Sequence, residues 1–155
     1  MISKSIKETK KIAKIFLDKI LKDKKKRKGA FIVGLSGDLG AGKTAFTKSI
    51  AKHLKIKSRV FSPTYVIMKK YSLPLPRGSA QRARGSNYKF FFHIDAYRLE
   101  SEKDLLNLGW EEIVNNKEHL IFIEWPENIK KAMPKNSKFI YISDNKNRSK
   151  NFKFK

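Results

Sequence analysis

Residues 30–54, AFIVGLSGDLGAGKTAFTKSIAKHL, decide the fold of this chain. The apolar run at 30–34 is rich in β-branched and aromatic residues, which predicts a buried strand. The segment GDLGAGKT at 37–44 then matches the full pattern G-x-x-x-x-G-K-[ST]. After it, an apolar side chain recurs every four positions as far as Leu54, as on the buried face of a helix. Strand, glycine-rich loop and helix in this order predict a phosphate-binding loop.

The residue types of this loop fit the binding of a nucleotide phosphate. Glycines give the loop backbone conformations in which successive N–H groups point at phosphate oxygens, and the following helix adds the partial positive charge of its N-terminus. Lys43 is expected to reach the β- and γ-phosphates, and the Thr44 hydroxyl to ligate Mg²⁺. The other loop residues expected to contact the nucleotide are Asp38, Leu39, Gly40, Ala41 and Gly42.

The composition bounds the class of protein. With 155 residues, 40% of them hydrophobic, the chain is predicted to form a single domain spanning 1–155. There is no cysteine, which excludes disulfides and thiolate metal sites. The first residues lack the apolar stretch of a signal peptide, and no run has membrane-spanning length. We therefore expect a cytoplasmic protein with no membrane contact.

The net charge of +22 has two interpretations that the sequence leaves open. Such a charge attracts polyanions and would support weak or indirect contact with RNA through phosphates. The excess is carried by 29 lysines against 7 arginines, dispersed along the chain. A general lysine bias in composition would give the same pattern.

The rest of the chain alternates between helix and strand patterns. Helices are predicted at 5–21, 101–108 and 126–133, and further strands at 59–61, 65–71, 88–95, 120–124, 139–142 and 152–154. The segment 22–28 is a basic connection. This order predicts an α/β fold with a P-loop NTPase-like sheet, mostly parallel at its centre with antiparallel edge strands, and flanked by helices.

Two loops carry candidate nucleotide contacts. Ser62-Pro63-Thr64-Tyr65 forms a turn whose Thr64 is either a switch residue near the γ-phosphate or an ordinary turn threonine. The segment 72–87, SLPLPRGSAQRARGSN, has no apolar periodicity and is predicted to be a mobile loop insertion. Its three arginines would either act as a lid on phosphates or simply be exposed.

Two acidic residues end strongly apolar strands, namely Asp95 in YKFFFHID and Glu124 in LIFIE. A phosphate-binding loop needs a carboxylate to hold Mg²⁺, and ligands bind at the C-terminal ends of parallel strands. We therefore predict that both acids position the metal or a water molecule, with capping or ion pairing as the alternative. His93 flanks the same site and is expected to be a packed strand residue.

The base specificity follows from a missing motif. A guanine-binding site would be expected to carry N-K-x-D, but Asn116-Lys117 is followed by Glu118-His119, and Asn145-Lys146 by Asn147-Arg148. Adenine is therefore favoured.

Five segments together resemble the TsaE family, the small bacterial ATPases of tRNA threonylcarbamoyladenosine biosynthesis. They are GDLGAGKT (37–44), SPTY (62–65), HIDAYRL (93–99), LGWEE (108–112) and IEWPE (123–127), and the resemblance extends from Thr9 to Arg148. It implies an ATPase that uses ATP and Mg²⁺ and acts with TsaB and TsaD partners.

The same resemblance implies roles for individual residues. Thr44 and Glu124 would be the Mg²⁺ ligands, Lys43 the phosphate-binding lysine, and Asp95 the acid near the γ-phosphate or its water. Thr9 and Arg148 would lie near the nucleotide. The 72–87 loop is longer than is usual in the family.

Two other functions compete with this one. In a P-loop small-molecule kinase, Asp95 would be the general base for an acceptor hydroxyl, and Arg77, Arg82 and Arg84 would form a lid. In a basic RNA-binding protein, nucleotide would be structural only. The chain lacks a second substrate motif and an RNA-recognition motif, so the ATPase is preferred.

Overall fold

The structure is a computed structural model that describes residues 1–23, 27–56, 67–74, 88–145, 147 and 149–155. Within these residues the strands are β1 (Ile2–Ser3), β2 (Phe31–Ser36), β3 (Met68–Ser72), β4 (Phe90–Asp95), β5 (His119–Glu124), β6 (Lys138–Asp144) and β7 (Lys150–Phe154). The α-helices are α1 (Ile6–Lys22), α2 (Lys43–His53), α3 (Glu102–Leu106) and α4 (Trp110–Val114). Two 3₁₀ helices span Ala96–Arg98 and Pro126–Ala132.

The strands form one sheet with the order β1-β7-β6-β2-β5-β4-β3. The four central strands β6, β2, β5 and β4 are parallel, whereas β3, β7 and β1 pair antiparallel at the two edges. The predicted fold class, a mostly parallel centre with antiparallel edges, is confirmed. The prediction of a single domain over the whole chain stays a prediction.

Alternate residues of the central strands point to opposite faces of the sheet, and each face is covered by its own helices. On one face α1 and α2 pack over Val33, Phe91 and Phe122. On the other face α3, α4 and the 3₁₀ helix 126–132 pack over Ile32, Phe92, Ile121 and their neighbours. Because β2, β4 and β5 are buried on both faces, they are largely apolar runs, which made them recognisable in the sequence, whereas β6 buries only Ile140 and Ile142.

The helix ends follow local sequence signals. The Ser5 side chain caps α1 by accepting from the Glu8 N–H at 3.2 Å. At α3, Asp104 Oδ2 accepts from the Ser101 N–H at 3.0 Å, completing a capping box. These two predicted helices are confirmed, although α3 is shorter than 101–108.

Two local predictions need correction or extension. The predicted helix at 126–133 is present as 3₁₀ structure over Pro126–Ala132, and its helical backbone is interrupted at buried Ile129, whose φ is −128°. The helix α4 was not predicted. It is a five-residue helix that follows Gly109, whose φ is +76°.

Some predicted features lie outside the described residues. These are the strand at 59–61, the turn at 62–65, most of the 72–87 loop with its arginines, part of the 22–28 connection, and Arg148. No helix in the described part of the chain combines the length and apolarity needed to cross a membrane.

Candidate active site

The glycine-rich loop connects the C-terminal end of β2 to the N-terminus of α2, as the motif predicts. Gly37 has φ +147°, and a Cβ placed on it would lie 2.1 Å from the backbone oxygen of Ile142 in β6. Gly42, at the N-terminus of α2, has φ +104°. Both conformations favour glycine, and they hold the loop against the sheet with the start of α2 facing the strand ends.

Lys43 lies folded back within the loop. Its Nζ donates to the backbone oxygens of Gly37 and of Asp38, the latter at 2.9 Å, and lies 3.7 Å from the centroid of the Trp125 ring. The residue is only 5% exposed. Burial lowers the pKa of Lys43 below its ordinary value, and the nearby carboxylates, first that of Glu124, oppose this effect.

Trp125 reaches Lys43 because of an unusual backbone conformation. Directly after β5 it has φ +60° and ψ +50°, and its N–H donates to the Leu35 oxygen at 3.1 Å. A non-glycine residue rarely adopts this left-handed conformation. It turns the indole ring over the glycine-rich loop, where the ring face attracts the ammonium group.

Glu124 is the centre of a buried polar cluster. Its Oε2 accepts from the Thr44 hydroxyl at 2.8 Å, and its Oε1 lies 2.7 Å from His93 Nε2. The Glu124 side chain is 3% exposed and that of His93 is fully buried. Each carboxylate oxygen of Glu124 is therefore oriented by a different element, α2 on one side and β4 on the other.

Asp95 lies beside Glu124, since the two residues are register partners in parallel strands β4 and β5. Both side chains are directed to the sheet face that carries the glycine-rich loop. Asp95 is buried, and its Oδ1 accepts from the Tyr97 N–H at 3.1 Å. Its carboxylate thus caps the 3₁₀ helix 96–98 at the same edge of the sheet.

The donor set at this edge fits Mg²⁺ bound together with a nucleotide. Among the described residues there is no group of three or more histidine, cysteine or acidic side chains that could hold a metal alone. Mg²⁺ characteristically binds through one or two carboxylates, water and substrate phosphates. The Thr44 hydroxyl and the Glu124 carboxylate, already in contact, supply such protein oxygens.

A pocket of about 170 Å³ opens next to the loop. Its lining includes the start of α1, with Thr9, and the start of α2, with Gly42 and Ala45. Lys150 of β7 closes it and donates to the Gly40 oxygen at 3.2 Å. The Thr9 hydroxyl lies 2.8 Å from that of Ser3 in β1. Thr9, far from the loop in sequence, therefore lies beside it.

The structure brings together most of the predicted site residues and adds others. Lys43, Thr44, Glu124 and Asp95 meet at the C-terminal ends of β2, β5 and β4. The Asn116-Lys117 segment precedes β5 and so lies at the opposite end of the sheet.

Three contacts were missed in the sequence: the pairing of His93 with Glu124, the stacking of Trp125 on Lys43, and the contact of Lys150 with the loop. Of these residues, only His93 could have been recognised from the sequence as a neighbour of the strand-end acids, because it precedes Asp95 by two residues and therefore lies on the same face of the sheet.

The family model described as "Threonylcarbamoyl adenosine biosynthesis protein TsaE" matches residues 3–152. A Rickettsia typhi protein of the name "tRNA threonylcarbamoyladenosine biosynthesis protein TsaE" is 39% identical over 127 residues, which are 81% of this chain and 73% of the relative. A Bacillus subtilis protein of the same name is 36% identical over 106 residues, 66% of this chain and 55% of the relative.

A solved structure is similar to this chain in its fold. The crystal structure of YdiB from Bacillus subtilis aligns with 99% of this chain and 82% of its own, with a TM-score of 0.71 and 27% sequence identity. On the family match and these relatives, the chain belongs to the TsaE family.

Proposed function

We propose that this chain binds ATP with Mg²⁺ and hydrolyses it at the edge of the sheet where the glycine-rich loop meets Asp95 and Glu124. The observation that carries the proposal is the contact of Thr44 with Glu124 beside Lys43, at the start of α2. This arrangement offers donors for phosphate oxygens and oxygen ligands for a cation in one place.

The binding step uses groups that are already in position. The loop N–H groups would donate hydrogen bonds to the phosphate oxygens, and the N-terminus of α2 would add its partial positive charge. Lys43 would exchange its contacts with the loop oxygens and the Trp125 ring for the β- and γ-phosphate oxygens. The charged phosphate oxygens would be stronger acceptors for the Lys43 ammonium group than the neutral backbone oxygens that it contacts in the free protein.

Mg²⁺ would be held by Thr44 and Glu124, and when bound it would neutralise charge on the β- and γ-phosphates. His93 would keep the Glu124 carboxylate in orientation through its contact with Oε1. Asp95, beside Glu124, would orient the water whose oxygen attacks the γ-phosphorus while the bond to the β–γ bridging oxygen breaks. The base would lie in the pocket near Thr9, with Arg148 as a further predicted contact.

The names of these relatives refer to the biosynthesis of threonylcarbamoyladenosine in tRNA. As a member of the TsaE family, the chain acts in this tRNA modification. We further propose that TsaB and TsaD homologues are its partners, that they stimulate its hydrolysis of ATP, and that the protein is cytoplasmic.

Calorimetry of ATP binding with Mg²⁺ tests the nucleotide site. The Lys43→Ala variant is expected to lose at least tenfold in affinity, since an ammonium group bonded to phosphate contributes about 1.5–3 kcal/mol. Lys48→Ala is the matched control, because Lys48 is on the same helix but exposed. Unchanged ATP affinity in Lys43→Ala would contradict the proposal.

A competition titration with GTP tests the predicted base preference. ATP is expected to bind more tightly than GTP.

Separate roles for the two acids are tested with Glu124→Gln and Asp95→Asn. The first is expected to raise the Mg²⁺ concentration needed for ATP binding. The second is expected to leave binding nearly intact and to lower partner-stimulated turnover by on the order of a hundredfold. Identical effects of the two substitutions would show that the roles are wrongly assigned. Transfer of the γ-phosphate to an added hydroxyl compound, in place of water, would favour the kinase.

A further inference from the structure

The exposed surface of α1 and α2 carries a concentration of positive charge. The six exposed lysines that form this lysine face are Lys7, Lys10 and Lys14 of α1 and Lys48, Lys52 and Lys55 in and directly after α2. Lys7, Lys10 and Lys14 recur three or four positions apart and so form one row along α1. Lys48 and Lys52 are four positions apart on α2, and Lys55 follows just beyond the end of that helix. The two groups are adjacent, because His53 Nε2 lies 3.2 Å from the Lys10 backbone oxygen where the helices pack.

Few acidic residues neutralise this face. Residues 4–22 and 43–55 together contain eleven lysines but only two acids, Glu8 and Asp18. Glu8 Oε2 accepts from the Lys4 N–H, and Asp18 is paired with Lys14 at 2.6 Å. Among the described residues, no carboxylate forms an ion pair with any of the other exposed lysines of these two helices.

The opposite face of the sheet lacks this excess of positive charge. Residues 98–118, which include α3 and α4, and the 3₁₀ helix Pro126–Ala132 together contain seven acids and five basic residues. A general bias of composition toward lysine would load both faces alike. The folded chain instead places a large excess of lysine over one face and nearly balanced charges over the other.

We infer that the lysine face is a docking surface for the phosphate backbone of RNA. Exposed lysines in rows on a rigid helical surface neutralise successive phosphates and release their counterions, which gives salt-dependent affinity with little sequence preference. Both helices begin at the pocket beside the glycine-rich loop, so RNA bound here would lie next to the nucleotide site. The inference goes beyond the proposed ATPase and does not depend on it.

The test compares two variants that each lose four positive charges. The face variant carries Lys7→Gln, Lys10→Gln, Lys48→Gln and Lys52→Gln. The control variant carries Lys103→Gln, Lys117→Gln, Lys130→Gln and Lys131→Gln, all exposed residues on or near the opposite helical layer. Binding of a fluorescein-labelled tRNA transcript is followed by anisotropy over a range of salt concentrations. Circular dichroism and ATP affinity of each variant report on folding and on the nucleotide site.

The face variant is expected to weaken RNA binding at least tenfold at about 100 mM salt, and to lower the slope of log affinity against log salt by roughly one for each lysine that contacts a phosphate. The control variant is expected to change the affinity less than threefold. Equal losses in both variants would overturn the inference, because they would show only the effect of net charge. So would a wild-type protein that binds phosphatidylserine vesicles but not the transcript.

Failure of this inference is distinguishable from failure of the proposed function. If the wild type binds RNA through the lysine face but does not bind ATP, the ATPase proposal falls and the RNA surface stands. If ATP binds normally in both variants and RNA affinity is insensitive to the face substitutions, only the RNA surface falls.

Discussion

Gly37→Ala is predicted to destabilise the fold far more than a loop substitution ordinarily does. The new Cβ would lie 2.1 Å from the Ile142 backbone oxygen, so the loop or β6 has to move. Alanine at φ +147° is also strained, by about 1–3 kcal/mol. Relieving an overlap with backbone typically costs a further 1–3 kcal/mol or so. We therefore expect a loss of about 2–6 kcal/mol in the free energy of unfolding, a large fraction of the roughly 5–15 kcal/mol of a typical domain.

The matched control is Gly40→Ala in the same loop. Gly40 has φ +80°, but a Cβ there would meet no atom within 4 Å. Only the left-handed backbone penalty of about 1–2 kcal/mol remains. Urea unfolding of both variants without nucleotide, followed by circular dichroism, measures the difference. A loss below about 1 kcal/mol for Gly37→Ala, or equal losses for both, would refute the view that close contact with β6 fixes this position.

Three further predictions concern the site and the core. His93→Phe retains a buried ring but removes the hydrogen-bond donor to Glu124. The Mg²⁺ concentration for half-maximal ATP binding should therefore rise about tenfold. An unchanged Mg²⁺ titration would show that His93 does not position Glu124. Phe46→Ala, in the fully buried contact with Phe152, should lower the free energy of unfolding by about 3–5 kcal/mol in urea titrations, and a loss near zero would contradict the packing described. Asp104→Ala removes the capping box of α3 and should cost about 1 kcal/mol in the same assay, with no change in ATP affinity.

Much of the geometry of the candidate site was predictable because its residues are tied to local patterns. The glycine-rich loop needs no information beyond its own residues and the flanking strand and helix. Asp95 and Glu124 stood out because each ends a strand buried on both faces, and parallel strands place their C-terminal ends together.

The contacts that were not predicted depend on strand register and on backbone conformations that no local sequence pattern indicates. The contact of His93 with Glu124 requires that β4 and β5 pair with Asp95 opposite Glu124, which no local pattern specifies. The left-handed conformation of Trp125 is rare for any residue other than glycine, so its stacking on Lys43 was not foreseeable. Two-residue β1 is too short to have a periodicity.

The difference in charge between the two helical layers could not be predicted before the helices were assigned to faces of the sheet. Lysines are dispersed along the chain, and the asymmetry emerges only when α1 and α2 are placed on one face and α3 and α4 on the other. The placement depends on the crossover connections of the sheet and not on any single segment.

The stacking of Lys43 on Trp125 gives the protein an intrinsic optical reporter. The chain has two tryptophans. Trp110 is 2% exposed and donates from its indole nitrogen to the Ala132 oxygen at 2.9 Å, so its emission should stay constant as a reference. Trp125 has the Lys43 ammonium group over its ring. If triphosphate binds as proposed, departure of that cation toward phosphate would change the electric field at the indole. Stopped-flow fluorescence of the unlabelled protein should therefore resolve the arrival of the triphosphate, and Trp125→Phe should abolish the signal while leaving Trp110 emission in place.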